Sequence, residues 1–328
     1  MIVRPRQSGH LRTRGELKGD IMSKSGLKKI GVIGIGTMGN GIAQVAAQSG
    51  FEIVITDINA EVLEKGMSNM SRSLDRLVKA YAKSDGAKGI TEEAKNEALG
   101  RVSTTTELVD LVSCDLIIEA APEIPELKEG INRKLAELGY DKVLATNTSG
   151  ISVTRLAAAY GKPELYMGVH FMNPVPMQKG VEIIRGLGTS QETYDLIVNL
   201  CHDMGKIEIP AEDKAGFAIN RMFVPFVNEA VRVVEEGIAG VEDADKVTLC
   251  LGHKMGPLMT ADFVGLDVMV FICNVLEEEF GSFYKPTSLL KRLVESGQLG
   301  AKSGRGFYVW EGYKPVGVNP DVARYRIG

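Results

Sequence analysis

A short apolar run, Ile30–Gly34, leads straight into Gly34-Ile-Gly36-Thr-Met-Gly39, and from Thr37 to Ser49 the apolar residues fall at helical spacing. Few local patterns constrain a fold as much. Glycines between a strand and a helix allow a tight turn, leave the backbone of the second open to a ligand, and let helix pack closely on strand. The helix N-terminus then offers unpaired N–H groups and a positive dipole end to an anion. A second strand, Phe51–Asp57, ends on an acid eighteen residues past Gly39. A carboxylate in that place grips ribose hydroxyls and repels a 2′-phosphate, and no arginine follows in Ile58-Asn59-Ala60. The glycines alone would fit any glycine-rich turn. With strand, helix and acid in order they predict an NAD site, with Gly34, Gly36, Thr37, Met38, Gly39 and Asp57 around the cofactor.

Strand and helix patterns keep alternating. Helical spacing covers Ala60–Lys83, and Thr91–Leu99 opens on a Thr cap with an acidic first turn. Strands are expected at Arg101–Thr104, Asp115–Glu119, Val143–Asn147, Tyr166–His170, Val181–Ile184 and Ile207–Ile209, with helices at Leu127–Leu138 and Thr193–Asp203. Strands separated by helices predict an α/β fold with a Rossmann-type, doubly wound, mainly parallel sheet. Past Asp213 the pattern becomes helical at Ile219–Glu236, Asp243–Leu251, Asp267–Phe280 and Ser288–Ser296, ending on Gly306-Phe-Tyr-Val-Trp310. The expected division is a flexible extension over 1–26, an NAD-binding domain over 27–212, and an all-α substrate and dimerisation domain over 213–328.

Bulk properties narrow the function. A net charge of −4 argues against nucleic acid or an anionic membrane as the main partner. The four cysteines, Cys114, Cys201, Cys250 and Cys273, lack metal-ligand spacing, so thiols in a reducing, cytoplasmic setting are expected and no metal. No apolar run has the roughly 18 residues a membrane span needs. Residues 1–21 carry arginines but no apolar core, which makes them an extension before Met22 rather than a secretory signal.

His170-Phe-Met-Asn-Pro-Val-Pro176 places one of the four histidines at a strand end beside turn-forming prolines, with Glu182 twelve residues on. Histidine titrates near neutral pH and serves as acid or base, and a carboxylate can orient it. Taken alone, the two residues fit a satisfied strand-end histidine and a strand glutamate equally well.

Read together, the motifs resemble the L-3-hydroxyacyl-CoA dehydrogenases, most of all the short-chain 3-hydroxybutyryl-CoA branch. The resemblance rests on Gly34-Ile-Gly36-Thr-Met-Gly-Asn-Gly-Ile-Ala43, Thr146-Asn-Thr-Ser149, His170-Phe-Met-Asn-Pro-Val-Pro176 and Gly216-Phe-Ala-Ile-Asn220-Arg. It continues through Gly256-Pro-Leu-Met-Thr-Ala-Asp262-Phe-Val-Gly-Leu-Asp267 and Lys302-Ser-Gly-Arg-Gly-Phe-Tyr308. It implies NAD-dependent, reversible oxidation of an (S)-3-hydroxyacyl-CoA in fatty-acid β-oxidation, by a homodimer. It implies His170 as general acid/base, Glu182 as its partner, and Ser149 and Asn220 on the reacting oxygen. Glu123, Lys128, Ser149, Asn173 and Lys302 would join the cofactor contacts, and Ser73 and Lys79 would meet coenzyme A.

This chain also departs from the family pattern. Ala80 stands where a basic residue is expected, with Lys79 beside it, and Met177-Gln-Lys-Gly180 replaces a more apolar run. Lys254 occupies a common proline position, and Ala121-Pro122-Glu123 and Gly150 differ as well. Two other readings stay open: a hydroxy-acid dehydrogenase without coenzyme A, of the L-gulonate or carnitine type, and a catalytically silent NAD-binding protein.

Overall fold

The computed structural model describes residues 23–323. The expectation of a flexible extension over residues 1–22 lies outside them. Residues 23–26 belong to the folded body: the Asp203 carboxylate accepts from Ser23 Oγ at 2.7 Å, Lys24 N at 2.9 Å and Ser25 N at 3.0 Å.

Strand β1 (Lys29–Ile33) passes through the glycine turn into α1 (Thr37–Gln48) and returns as β2 (Glu52–Thr56). Each glycine has its own reason. A Cβ on Gly39 would sit 1.8 Å from the Gly34 carbonyl oxygen, and Gly34 has φ +92° with the Ala120 carbonyl against it. Around Gly36 there is open space. The third glycine therefore lets the helix touch the strand, and the second keeps the approach clear.

The long α2 (Ala60–Lys83) starts where Asn59 accepts from Val62 N, and α3 (Glu92–Gly100) starts where Thr91 accepts from Ala94 N. Leu63, Met70 and Leu74 of α2 are buried in the core, and Lys95 of α3 reaches Asp75 of α2 at 2.6 Å. That stripe and ion pair hold the two helices together beyond what a minimal crossover needs. The chain continues through β3 (Val102–Thr105), β4 (Leu116–Glu119), α4 (Pro125–Glu137), β5 (Val143–Thr146) and α5 (Val153–Tyr160). Then come β6 (Tyr166–Phe171), β7 (Gly180–Arg185), α6 (Gln191–Asp203) and β8 (Ile207–Glu212).

Among the described residues eight strands form one sheet, ordered β3-β2-β1-β4-β5-β6-β7-β8. Every pairing is parallel except β6 with β7. Order reverses beside β1, so a crevice opens at the carboxyl ends of β1 and β4, where such sheets bind ligands. Apolar residues cover both faces: Ile30, Val32 and Ile118 on one, Ile33, Ile117 and Leu144 on the other.

The second region is built on α7 (Ile219–Glu235), α8 (Val241–Cys250), α9 (Pro257–Val264), α10 (Leu266–Phe280) and α11 (Ser288–Glu295). Its core gathers Val227, Val231, Leu258, Leu266, Leu276, Leu290 and Phe307. It is not purely helical. Strands β9 (Tyr308–Glu311) and β10 (Lys314–Val318) form an antiparallel hairpin that alternation alone did not reveal, because Gly312 and Gly317 interrupt it.

Two buried carboxylates organise this region. Asp245 accepts from Leu258 N, Met259 N and Tyr308 OH, which caps α9. Asp262 accepts from Phe307 N, Tyr308 N and Trp310 Nε1. A Cβ on Gly256 would strike Asp245, and one on Gly306 would strike Asp262. No single helix among the described residues is long and apolar enough to cross a membrane.

Candidate active site

The antiparallel pairing of β6 and β7 sets His170 directly opposite Glu182. Residues opposite each other in such a ladder bring their side chains together on one face. His170 Nδ1 lies 2.8 Å from Glu182 Oε2. Glu182 is fully buried, and its other oxygen accepts from Ala218 N at 2.8 Å and Ile219 N at 2.7 Å. Those N–H groups open α7, so the carboxylate also caps the first helix of the second region. With Glu182 accepting on both oxygens, the proton between them belongs on His170 Nδ1. Nε2 is then the acceptor, and Ser149 Oγ donates to it at 3.1 Å.

Ser149 is held from below. Glu123 Oε1 accepts from Thr148 Oγ1 at 2.6 Å, Ser149 N at 2.7 Å and Gly150 N at 3.1 Å. On the far side Asn220 Nδ2 donates to the Ser149 carbonyl at 3.1 Å. Ser149 is therefore gripped by both regions of the molecule. Phe217 packs its ring 6.0 Å from the imidazole and takes φ +46°, a left-handed conformation unusual for so bulky a residue.

A cleft of about 1160 Å³ runs from the glycine turn past Ser149. Gly34, Gly36, Thr37, Met38, Asp57, Glu123, Asn173 and Ser73 all line it. Asp57 Oδ2 accepts from Ile35 N at 2.7 Å, which fixes the acid at the rim of the turn. The open space over Gly36 and the acid closing β2 suit a dinucleotide, with the turn on its pyrophosphate and Asp57 on its ribose.

Of the residues expected at the ligands, His170 and Asn220 stand behind Ser149 rather than on this wall. Gly39, Lys128, Lys302 and Lys79 stand back from it as well. Gly39 lies beneath it, serving the helix–strand contact. Lys128 is fully buried and donates to Glu119 Oε1 at 2.8 Å and the Ala121 carbonyl at 3.1 Å. Lys302 pairs with Asp267 at 2.6 Å in the second region. Lys79 is exposed near Asp75, further along α2 than Arg72 and Arg76, which do line the cleft.

Glu119 was not singled out from sequence. It closes the apolar strand β4, is fully buried, and accepts from Lys128, Ala121 N and Thr146 Oγ1. An acid ending an otherwise apolar strand was the available signal. Asn147 was missed too; its Oδ1 accepts from Phe171 N at 3.0 Å and ties β5 to the end of β6. Lys206 was a third. Buried, it donates to the Val175 and Gln178 carbonyls at 2.5 and 2.7 Å, fastening the proline loop. Burial with no carboxylate among these contacts holds its ammonium below the usual lysine range.

Comparison with known proteins gives matches along both regions. A model of the 3-hydroxyacyl-CoA dehydrogenase NAD binding domain matches residues 29–214, and one of the 3-hydroxyacyl-CoA dehydrogenase C-terminal domain matches residues 216–310. The chain is 45% identical to a 3-hydroxybutyryl-CoA dehydrogenase of Bradyrhizobium diazoefficiens, over 88% of this chain and 98% of that protein. It is 37% identical to the mitochondrial hydroxyacyl-coenzyme A dehydrogenase of Mus musculus, over 87% of this chain and 92% of that one. Among solved structures it is similar to the (S)-3-hydroxybutyryl-CoA dehydrogenase of Ralstonia eutropha. There the TM-score is 0.81 and the identity 40%, over 87% of this chain and 99% of the other.

Proposed function

This chain belongs to the 3-hydroxyacyl-CoA dehydrogenase family of NAD-dependent oxidoreductases, and from that premise we propose that it oxidises (S)-3-hydroxybutyryl-CoA to the 3-oxo thioester and catalyses the reverse. The observation that carries the proposal is the line Glu182–His170–Ser149, which sets an acceptor nitrogen behind the Ser149 hydroxyl on the cleft wall. NAD held along the glycine turn supplies the hydride acceptor. The chain's own residues handle the proton. In the oxidative direction the substrate hydroxyl takes the place of the Ser149 hydroxyl and donates to His170 Nε2. The imidazole gains that proton while keeping Nδ1–H on Glu182, and the carboxylate stabilises the cation that forms. In reduction the same Nε2–H protonates the nascent alkoxide.

Ser149 Oγ and the second N–H of Asn220 serve as donors to the reacting oxygen and polarise the ketone. Ser73, with Arg72 and Arg76 on the same stretch of α2, would take the phosphates of coenzyme A. Residues 27–212 act as the NAD-binding domain, and 213–328 complete the substrate site and carry the dimer contact. Met222, Phe226, Leu251 and Phe283 are exposed there, and a second copy of the chain would cover such residues. Sedimentation at the monomer mass would remove the dimer from this reading.

The deciding assay follows NADH oxidation with acetoacetyl-CoA, free acetoacetate and 3-dehydro sugars side by side. Turnover confined to the thioester is expected. Turnover of the free acid or sugar alone would transfer the enzyme to a branch that does not use coenzyme A. Absence of turnover with all of them would leave a cofactor-binding protein.

A further inference from the structure

The family's C-terminal match ends at residue 310, and the chain then turns back as a hairpin. At its tip Tyr313 is 76% exposed, yet it lines the same cleft as the glycine turn. Its ring is not loosely held. One face stacks on Phe263, with centroids 6.0 Å apart and planes at 21°. Phe263 meets Trp310 edge-on at 5.0 Å and 86°, and Trp310 Nε1 donates to the buried Asp262 at 2.8 Å. A column of three rings rooted in the second core thus holds Tyr313 at the cleft.

Helix α2 lines the same cleft with Lys65, Arg72 and Arg76. A supported aromatic face combined with ammonium and guanidinium groups is the chemistry that recognises a purine nucleotide, the ring by stacking and the phosphates by charge-assisted hydrogen bonds.

We propose that Tyr313 is a stacking platform for the adenine ring of a nucleotide bound in this cleft. The proposal rests on the dehydrogenase reading above, which brings two adenine-bearing molecules to the cleft, NAD and the coenzyme A thioester. Tyr313 stands at an exposed turn, so substitution leaves both cores intact. The test compares wild type, Tyr313→Ala and Tyr313→Phe for NADH affinity, acetoacetyl-CoA KM, and affinity for ADP, which carries the ring and diphosphate alone.

The alanine variant is expected to bind ADP and one of the two larger ligands roughly five- to 150-fold more weakly, the range for a lost base–aromatic stack. The phenylalanine variant should stay within about twofold of wild type, since stacking needs the ring and not the hydroxyl. A loss confined to NADH assigns the platform to the cofactor's adenine, and one confined to acetoacetyl-CoA assigns it to the thioester's. Unchanged binding of all three ligands by the alanine variant overturns the proposal, as does an equal loss in the phenylalanine variant. A wild type that fails to reduce acetoacetyl-CoA overturns the dehydrogenase reading instead, and the ADP titration still decides the platform.

Discussion

The sheet region and the helical region each bury carboxylates, and they compensate them differently. Glu182 and Glu119 in the sheet face nitrogen bases, His170 and Lys128. Asp245 and Asp262 among the helices take their hydrogen bonds from main-chain N–H groups, a phenol and an indole. A carboxylate beside a titratable base can stabilise a proton arriving on that base. A carboxylate surrounded by amide donors has no proton to relay, so it serves only as an anchor. Burial drives both helical-region carboxyls upward, Asp262 to about 6. The contrast separates acids that hold a proton on a neighbouring base, of which only Glu182 adjoins the cleft wall through His170 and Ser149, from acids that anchor main chain.

Three substitutions test that contrast, in order of expected size. His170→Gln should lower kcat by on the order of a thousandfold or more, within the range for a lost acid–base group, while NADH affinity stays near wild type. Single-turnover kinetics with a parallel NADH titration measures both, and near-wild-type turnover would return His170 to a structural role.

Glu182→Gln should come next, at about a hundredfold in kcat, because an amide no longer stabilises the imidazolium or fixes its tautomer. NADH affinity should stay near wild type while kcat falls; if stability falls and kcat does not, Glu182 acts only by capping α7.

Asp262→Asn should leave kcat nearly unchanged and cost about 2 kcal/mol of stability, because three N–H donors then face a group with a single acceptor oxygen. The sign with pH follows from a folded pKa near 6 against 3.8 in the unfolded chain. The folded state holds this proton more tightly, so the group's contribution is full below about pH 4 and is lost as pH rises through about 6. The stability gap between wild type and the amide variant should therefore narrow from pH 4 to 7, the linkage being large enough to close a gap of about 2 kcal/mol. Denaturant unfolding at the two pH values measures it, and a gap of constant width would show that Asp262 does not titrate in that window.

Local signals made much of this legible. The glycine turn, the acid ending β2 and both bounds of α2 follow from spacing and caps within a few residues. Helix α5 was not read from the chain: it is eight residues long, and its N-terminal amides are held by Asp213 from far along the sequence. Direction was equally hidden in β6 and β7, since apolar alternation is the same in parallel and antiparallel strands. Lys128 misled because the Glu119 that buries it sits on a different element. His170, Glu182 and Ser149 could be named from motifs. Their arrangement depends on strand register and on α7 docking, which no local pattern encodes.

That register has a practical side. His170 and Glu182 face each other across a ladder of main-chain bonds, so their separation does not depend on what joins the strands. Residues 172–179 form that joint, with Asn173, Pro174, Val175 and Pro176 on the cleft wall and Lys206 fastening it behind. An engineer could change the Met177 and Lys179 side chains without moving the ladder or the carbonyls that Lys206 holds. Variants of that outer turn should still fold and still pass a proton.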